Sequence, residues 1–212
     1  MTMGLLNNVK LRVRKASPQA RTALVSECAE RVYPIYEEMW WGSFYVAVRR
    51  AIEMGWNFGC GLPIDAALKG RYLEHVQDAV TFYREEATED ALLANPVTVA
   101  LRVLESMVED EEQSCLAVAR GLLSTLSSAK VAEARADRHT PRDDNMKRAV
   151  AEEEAWQEAA LALIDGWQGV AKRDMFDGIG EKPPDWLFDW RMRRYRADRE
   201  RSDQLSDRHD EK

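Results

Sequence analysis

Apolar residues in this chain recur at intervals of three and four, segment after segment, a spacing that places them on one face of a helix. Leu24, Cys28, Val32, Ile35 and Met39 form the first stripe. Ser17-Pro18 ahead of it is a helix start, with serine as the cap and proline where its missing N–H costs nothing. Pro34 falls inside the stripe and predicts a kink or break, because proline removes a backbone bond and clashes with the preceding turn. Phe44, Val48, Ile52 and Trp56 follow Gly42-Ser43, and "GCGLP" at 59–63 ends that helix. Leu68, Tyr72, Val76, Val80 and Tyr83 form a third stripe. Asn95-Pro96 repeats the start signal ahead of Val97, Leu101, Leu104 and Val108. Cys115, Ala119, Leu122 and Leu126 define a further face, and Thr140-Pro141 opens a helix through Val150, Trp156, Ala160, Leu163 and Trp167. No segment shows the sustained alternation of a strand. The expected fold is all-α: an antiparallel multi-helix bundle of about six or seven helices with a C-terminal appendage.

Three regions follow. Residues 1–16 form a basic N-terminal segment, 17–170 the helical domain, and 171–212 a linker and arginine-rich arm. "GIGEKPPDW" is the linker. Trp186 and Trp190 lie four apart in the arm and are expected to share a helix face and dock on the core, while the last dozen residues fray.

At 212 residues and a net charge of −7, the chain lacks the basic field that phosphate contacts need, so nucleic acid is an unlikely partner class. No apolar run reaches the roughly 18 residues of a membrane helix. Basic residues follow the short N-terminal apolar stretch, the wrong order for a secretory signal. Cys28, Cys60 and Cys115 are few and far apart, which fits buried small hydrophobes in a reducing bacterial-type cytoplasm.

The feature that raises a functional question is "VLESMVEDEEQS" at 103–114, where Glu109, Asp110, Glu111 and Glu112 stand in a row, with Glu105 one turn earlier. Between residues 85 and 115 nine acids accompany one base, Arg102. The run can hold a metal, dock a basic partner, or cap a helix, with Asp110 as N-cap and Glu111 and Glu112 in the first turn. A di-iron site needs Glu-x-x-His pairs, and none of His75, His139 and His209 lies three after a glutamate. Zinc ligand spacing is missing too. "EEATE" at 85–89, with Glu109 and Glu112, is similar to the carboxylate pattern of all-α nucleotide pyrophosphohydrolases, though Glu112 stands where that pattern has aspartate. No nucleophile elbow or phosphate-cradling loop is present. Trp40, Trp41, Phe44 and Tyr45 cluster at the Gly42-Ser43 junction. They either close one end of the bundle or leave an aromatic anchor exposed.

Two stretches carry a resemblance. Residues 28–61, through Cys28, Glu30, Arg31, Pro34, Tyr36, Arg50, Ala51 and Trp56, resemble the front half of a group of all-helical bacterial proteins. "NPVTVALRVLESMVEDEEQSCLAVARGLLSTL" is similar to the paired helices that follow there, joined by an acidic turn. The resemblance covers about residues 20–170. Several of that group accompany polymorphic-toxin genes as immunity proteins. The resemblance implies a binder and offers no catalytic residues; the acidic charge adds the expectation of a basic toxin domain as partner, and the ligand spacing that of no metal or cofactor. The expected contact residues are Glu105, Glu109, Asp110, Glu111 and Glu112, with Trp40 and Trp41. The alternatives are the magnesium-dependent pyrophosphohydrolase and a non-catalytic helical scaffold or regulator.

Overall fold

The computed structural model describes residues 3–37, 44–86, 91–136 and 148–179. Its elements are helices: α1 Met3–Val13, α2 Pro18–Glu37, α3 Phe44–Gly59, α4 Ala66–Glu86, α5 Ala91–Ser106, α6 Glu111–Ala136 and α7 Ala149–Ile164. The fold is an all-α bundle, as the spacing of apolar residues requires.

The helix starts follow the cap chemistry. Ser17 Oγ accepts from the Ala20 amide at 3.1 Å, with Pro18 as the first helical residue. Asp65 Oδ1 accepts from the Ala67 and Leu68 amides at 2.8 and 3.0 Å and opens α4. Gly61, just past α3, and Gly166, just past α7, both have φ of +76°, the left-handed conformation in which glycine ends a helix without strain.

The bundle is built around α2, which packs against α3, α5, α6 and α7. Every residue from Ala20 to Ala29 is buried, so this helix has no solvent face over almost three turns. Its side chains there are mostly small, and glycines on neighbouring helices bring the backbones close. A Cβ on Gly55 of α3 would fall on Ser26 Oγ and Val103 Cγ1, and one on Gly121 of α6 would fall on Val25 Cγ2. After α7 the chain returns to the bundle. Ser17 N donates to Trp167 O and Ser17 Oγ to Gly169 O, both at 2.7 Å, and Ala171 N donates to Gly59 O at 2.8 Å. Phe176 then packs between Trp56 and Trp156, with ring centroids 6.2 and 6.4 Å away.

Four features differ from the sequence reading. The helix α2 runs through Pro34 to Glu37, because burial of the preceding residues outweighs one lost backbone bond. Asn95-Pro96 does not start a helix: α5 begins at Ala91 and carries Pro96 inside it. In α7 the buried side holds Glu153, Trp156, Gln157, Ala160, Leu161 and Ile164, and Leu163 is largely exposed. Residues 3–13, read only as a basic segment, form α1, which inserts Val9 and Val13 into the core. Thr140-Pro141 and the arm with Trp186 and Trp190 lie outside the described residues.

Candidate functional site

The acidic run folds as a helix turn. The α5 helix ends at Ser106, and α6 begins at Glu111. Asp110 caps α6 through Oδ1, which accepts from the Gln113 amide at 2.9 Å. Glu111 and Glu112 occupy the first turn, where the positive end of the helix favours them. The turn is pinned from beneath. Ser114 Oγ donates to Ser106 O at 2.9 Å, Ser106 Oγ donates to Val103 O at 2.7 Å and lies 3.0 Å from Thr22 Oγ1 on α2, and Lys69 of α4 donates to Met107 O. Burial pushes the Lys69 ammonium below its ordinary range.

Local charge counting hid what faces this turn. Lys10 and Arg14, about a hundred positions earlier, both reach Glu112, Arg14 through Nη2 at 2.8 Å. Arg14 Nε lies 3.8 Å and Arg21 Nη1 3.5 Å from Glu111. Glu105 pairs with Arg102 one turn away on α5. Glu109 is exposed and makes neither an ion pair nor a side-chain hydrogen bond among the described residues. The Lys10 hydrogen bond, with the Lys10 and Arg14 charges, holds the Glu112 carboxyl below the usual carboxylate range, against the opposing charge of Asp110. The five acids are therefore brought onto one helix pair and its connecting turn, and among the described residues Glu109 alone of the five has no side-chain partner.

Trp40 and Trp41 lie outside the described residues. The start of α3 and the end of α4 carry partly exposed apolar side chains. The Phe44 ring is tilted against Phe82 with centroids 5.9 Å apart, Phe82 meets Tyr83 edge-on at 5.4 Å, and Phe82 and Val46 are about half exposed.

A second polar cluster sits in the core and went unread in the sequence. Arg31 Nη2 lies 3.2 Å from Glu153 Oε2, and both side chains are sealed from solvent. The guanidinium carbon lies 4.3 Å from the Trp156 ring centroid. Gln157 Nε2 donates to Glu153 Oε1 at 3.2 Å and to Leu122 O and Thr125 Oγ1 at 2.8 Å. Burial pushes the neighbouring Cys28 thiol well above its ordinary value, and the Glu153 charge pushes it the same way. This makes Cys28 a packing residue. Cys28 was read as a buried small hydrophobe, whereas Arg31 was noted only as a resemblance position; the signal for its partner was Glu153 in register with Trp156 and Gln157 on α7.

Among the described residues no three His, Cys, Asp or Glu side chains converge as a metal site. Described residues line two shallow grooves. One of about 320 Å³ is lined by Asn7, Lys10, Leu11, Arg14 and Glu112, and one of about 380 Å³ lies between α3 and the start of α4. Neither gathers a nucleophile and a base. Of the described helices, none is long and apolar enough to cross a membrane. Comparison with protein-family models, curated proteins and solved structures gives no match to the chain.

Proposed function

We propose that this protein is a non-catalytic binder, an immunity protein that neutralises a bacterial toxin in the cytoplasm by docking its acidic α5–α6 turn on a basic surface of the toxin domain. One observation supports the reading above the others: the turn already receives Lys10, Arg14 and Arg21 from elsewhere in the chain. A face that seats three cations, from α1, the turn after it and α2, has the shape and charge to seat a partner's. Glu109 and Asp110 extend that field beyond the internal pairs. Exposed pairs contribute roughly 0.2–1 kcal/mol each, so a partner that desolvates the same carboxylates can outcompete them. Trp40 and Trp41 supply a second, aromatic contact in this reading.

The test is a combined Glu109→Lys, Glu111→Lys, Glu112→Lys variant. It is compared with one reversing Asp198, Glu200 and Asp203 in the mixed C-terminal segment. Both are expected to remain folded by circular dichroism. Only the first should lose association with the toxin encoded by the adjacent gene, and with it protection of cells. The loss should appear mainly as slower association, and added salt should slow wild type in the same direction. Equal binding by wild type and the triple variant rejects the docking face.

A further inference from the structure

The basic helix α1 packs against α6 and α7 at the edge of the bundle. Its cations and those just after it are all spent on those two helices and the turn that ends α7. Lys10 and Arg14 go to Glu112, Arg12 to Glu158 at 2.6 Å, and Lys15 to Asp165 at 3.4 Å. Each of those carboxylates is at least 40% exposed, so every pair is open to screening. Beneath them, among the described side chains of α1, Val9 and Val13 are buried, one residue before each of the two cations that meet Glu112, and Leu6 packs partly buried against the core. Leu11 points to solvent at 63% exposure. The seating code is therefore short: Val9-Lys10 and, four positions later, Val13-Arg14 where α1 ends.

The rest of the bundle is held differently. Its centre, Ala20 to Ala29, is closed on all sides, and the Arg31–Glu153 pair is sealed in the core, where salt does not reach it. Releasing α1 removes Val9 and Val13 from the core and leaves the packing of α2 on α3, α5, α6 and α7 in place.

We propose that α1 is a displaceable strap, and that the face it covers accepts a basic amphipathic helix in trans when α1 is released. The strap stands on the contacts above. Only the naming of a toxin's basic helix as the natural occupant rests on the proposed function. In the free protein α1 then acts as an internal competitor, so partner binding is weaker than the exposed face alone would give.

Two measurements on the full-length chain test this. In the first, amide hydrogen exchange is followed by mass spectrometry at low salt and at about 1 M salt, where the screening length falls to about 3 Å. Residues 3–13 should exchange about tenfold faster at high salt, as expected for several exposed pairs at the low end of their range, while residues 20–29 remain unchanged. Equal acceleration in both segments, or none in α1, overturns the strap. In the second, a fluorescent peptide of residues 1–16 is added to wild type and to a full-length Lys10→Glu/Arg14→Glu variant, whose own α1 is repelled from Glu111 and Glu112. The peptide should bind the variant at least tenfold more tightly than wild type. A peptide carrying the same two reversals should not bind. Equal binding to both proteins, or binding to neither, overturns acceptance in trans. No toxin enters either measurement, so failure here leaves the docking reading standing, and failure of the triple variant leaves the strap standing.

Discussion

Two ion pairs in this protein look alike on paper and differ in what they do to stability. Arg12–Glu158 is an exposed pair at 2.6 Å, and Arg31–Glu153 is a sealed pair at 3.2 Å. In water the first competes with hydration and side-chain entropy, so Glu158→Ala should change stability by less than roughly 0.5 kcal/mol. In the core, removing the Glu153 carboxylate takes a sealed ion-pair partner from Arg31 and leaves Gln157 with one partner fewer. Glu153→Ala should therefore cost about 3–5 kcal/mol, read as a lower urea midpoint at unchanged slope. A loss under about 1 kcal/mol would mean that water reaches the pair. Neither residue was legible as a core element, because hydropathy assigns glutamate and arginine to the surface whatever their partner. Asp110, by contrast, was legible, since a cap depends only on the local order of an acid and the first helical turn.

At the scale of helices, most of what the sequence announces is local, and most of what it hides is long-range. Ser17-Pro18 and the "GCGLP" stop mark ends of α2 and α3 because cap and turn chemistry act over a few residues. Asn95-Pro96 carries the same signal, yet α5 starts four residues earlier, at Ala91, and the segment from Val97 onward is buried. Pro34 obeys the same override. The acidic turn was legible as a turn, whereas its neutralisation by Lys10, Arg14 and Arg21 was not, since those residues stand roughly ninety to a hundred positions away. Close helix approach is also a long-range property. Gly55 is a helix residue that propensity would replace by alanine with a gain of up to about 1 kcal/mol. The added methyl would instead meet Ser26 on α2 and Val103 on α5. Helix backbones must then separate, so Gly55→Ala should destabilise by about 1–3 kcal/mol in thermal unfolding. Gly70, with open space around its Cβ position, should accept the same change with a small gain.

Across the whole molecule, the charges divide into a sealed set that fixes the core and an exposed set that ties α1 to its edge. Acid separates the two. Glu112 faces Lys10 of α1 and Arg14 just after it, with Asp110 and Glu111 beside it, and Arg21 of α2 and Arg14 face Glu111. Its carboxyl is held below the ordinary glutamate value of about 4.3, so docking of α1 gains from the ionised form. That contribution is fully present above the ordinary value and disappears as pH falls through the depressed one, where Glu112 takes up its proton. The expected sequence on acidification from about pH 7 to about pH 3 is release of α1 before loss of the bundle. Backbone amide signals of Val9 and Val13 should shift and sharpen toward disordered values through that window, while those of Ala23 and Leu24 hold. In the Lys10→Glu/Arg14→Glu variant the Val9 and Val13 signals should already be released at neutral pH and show no such transition. If the signals of α1 and α2 move together in wild type, the N-terminal helix is an integral wall of the bundle, and the acidic turn has no separate covered and open forms.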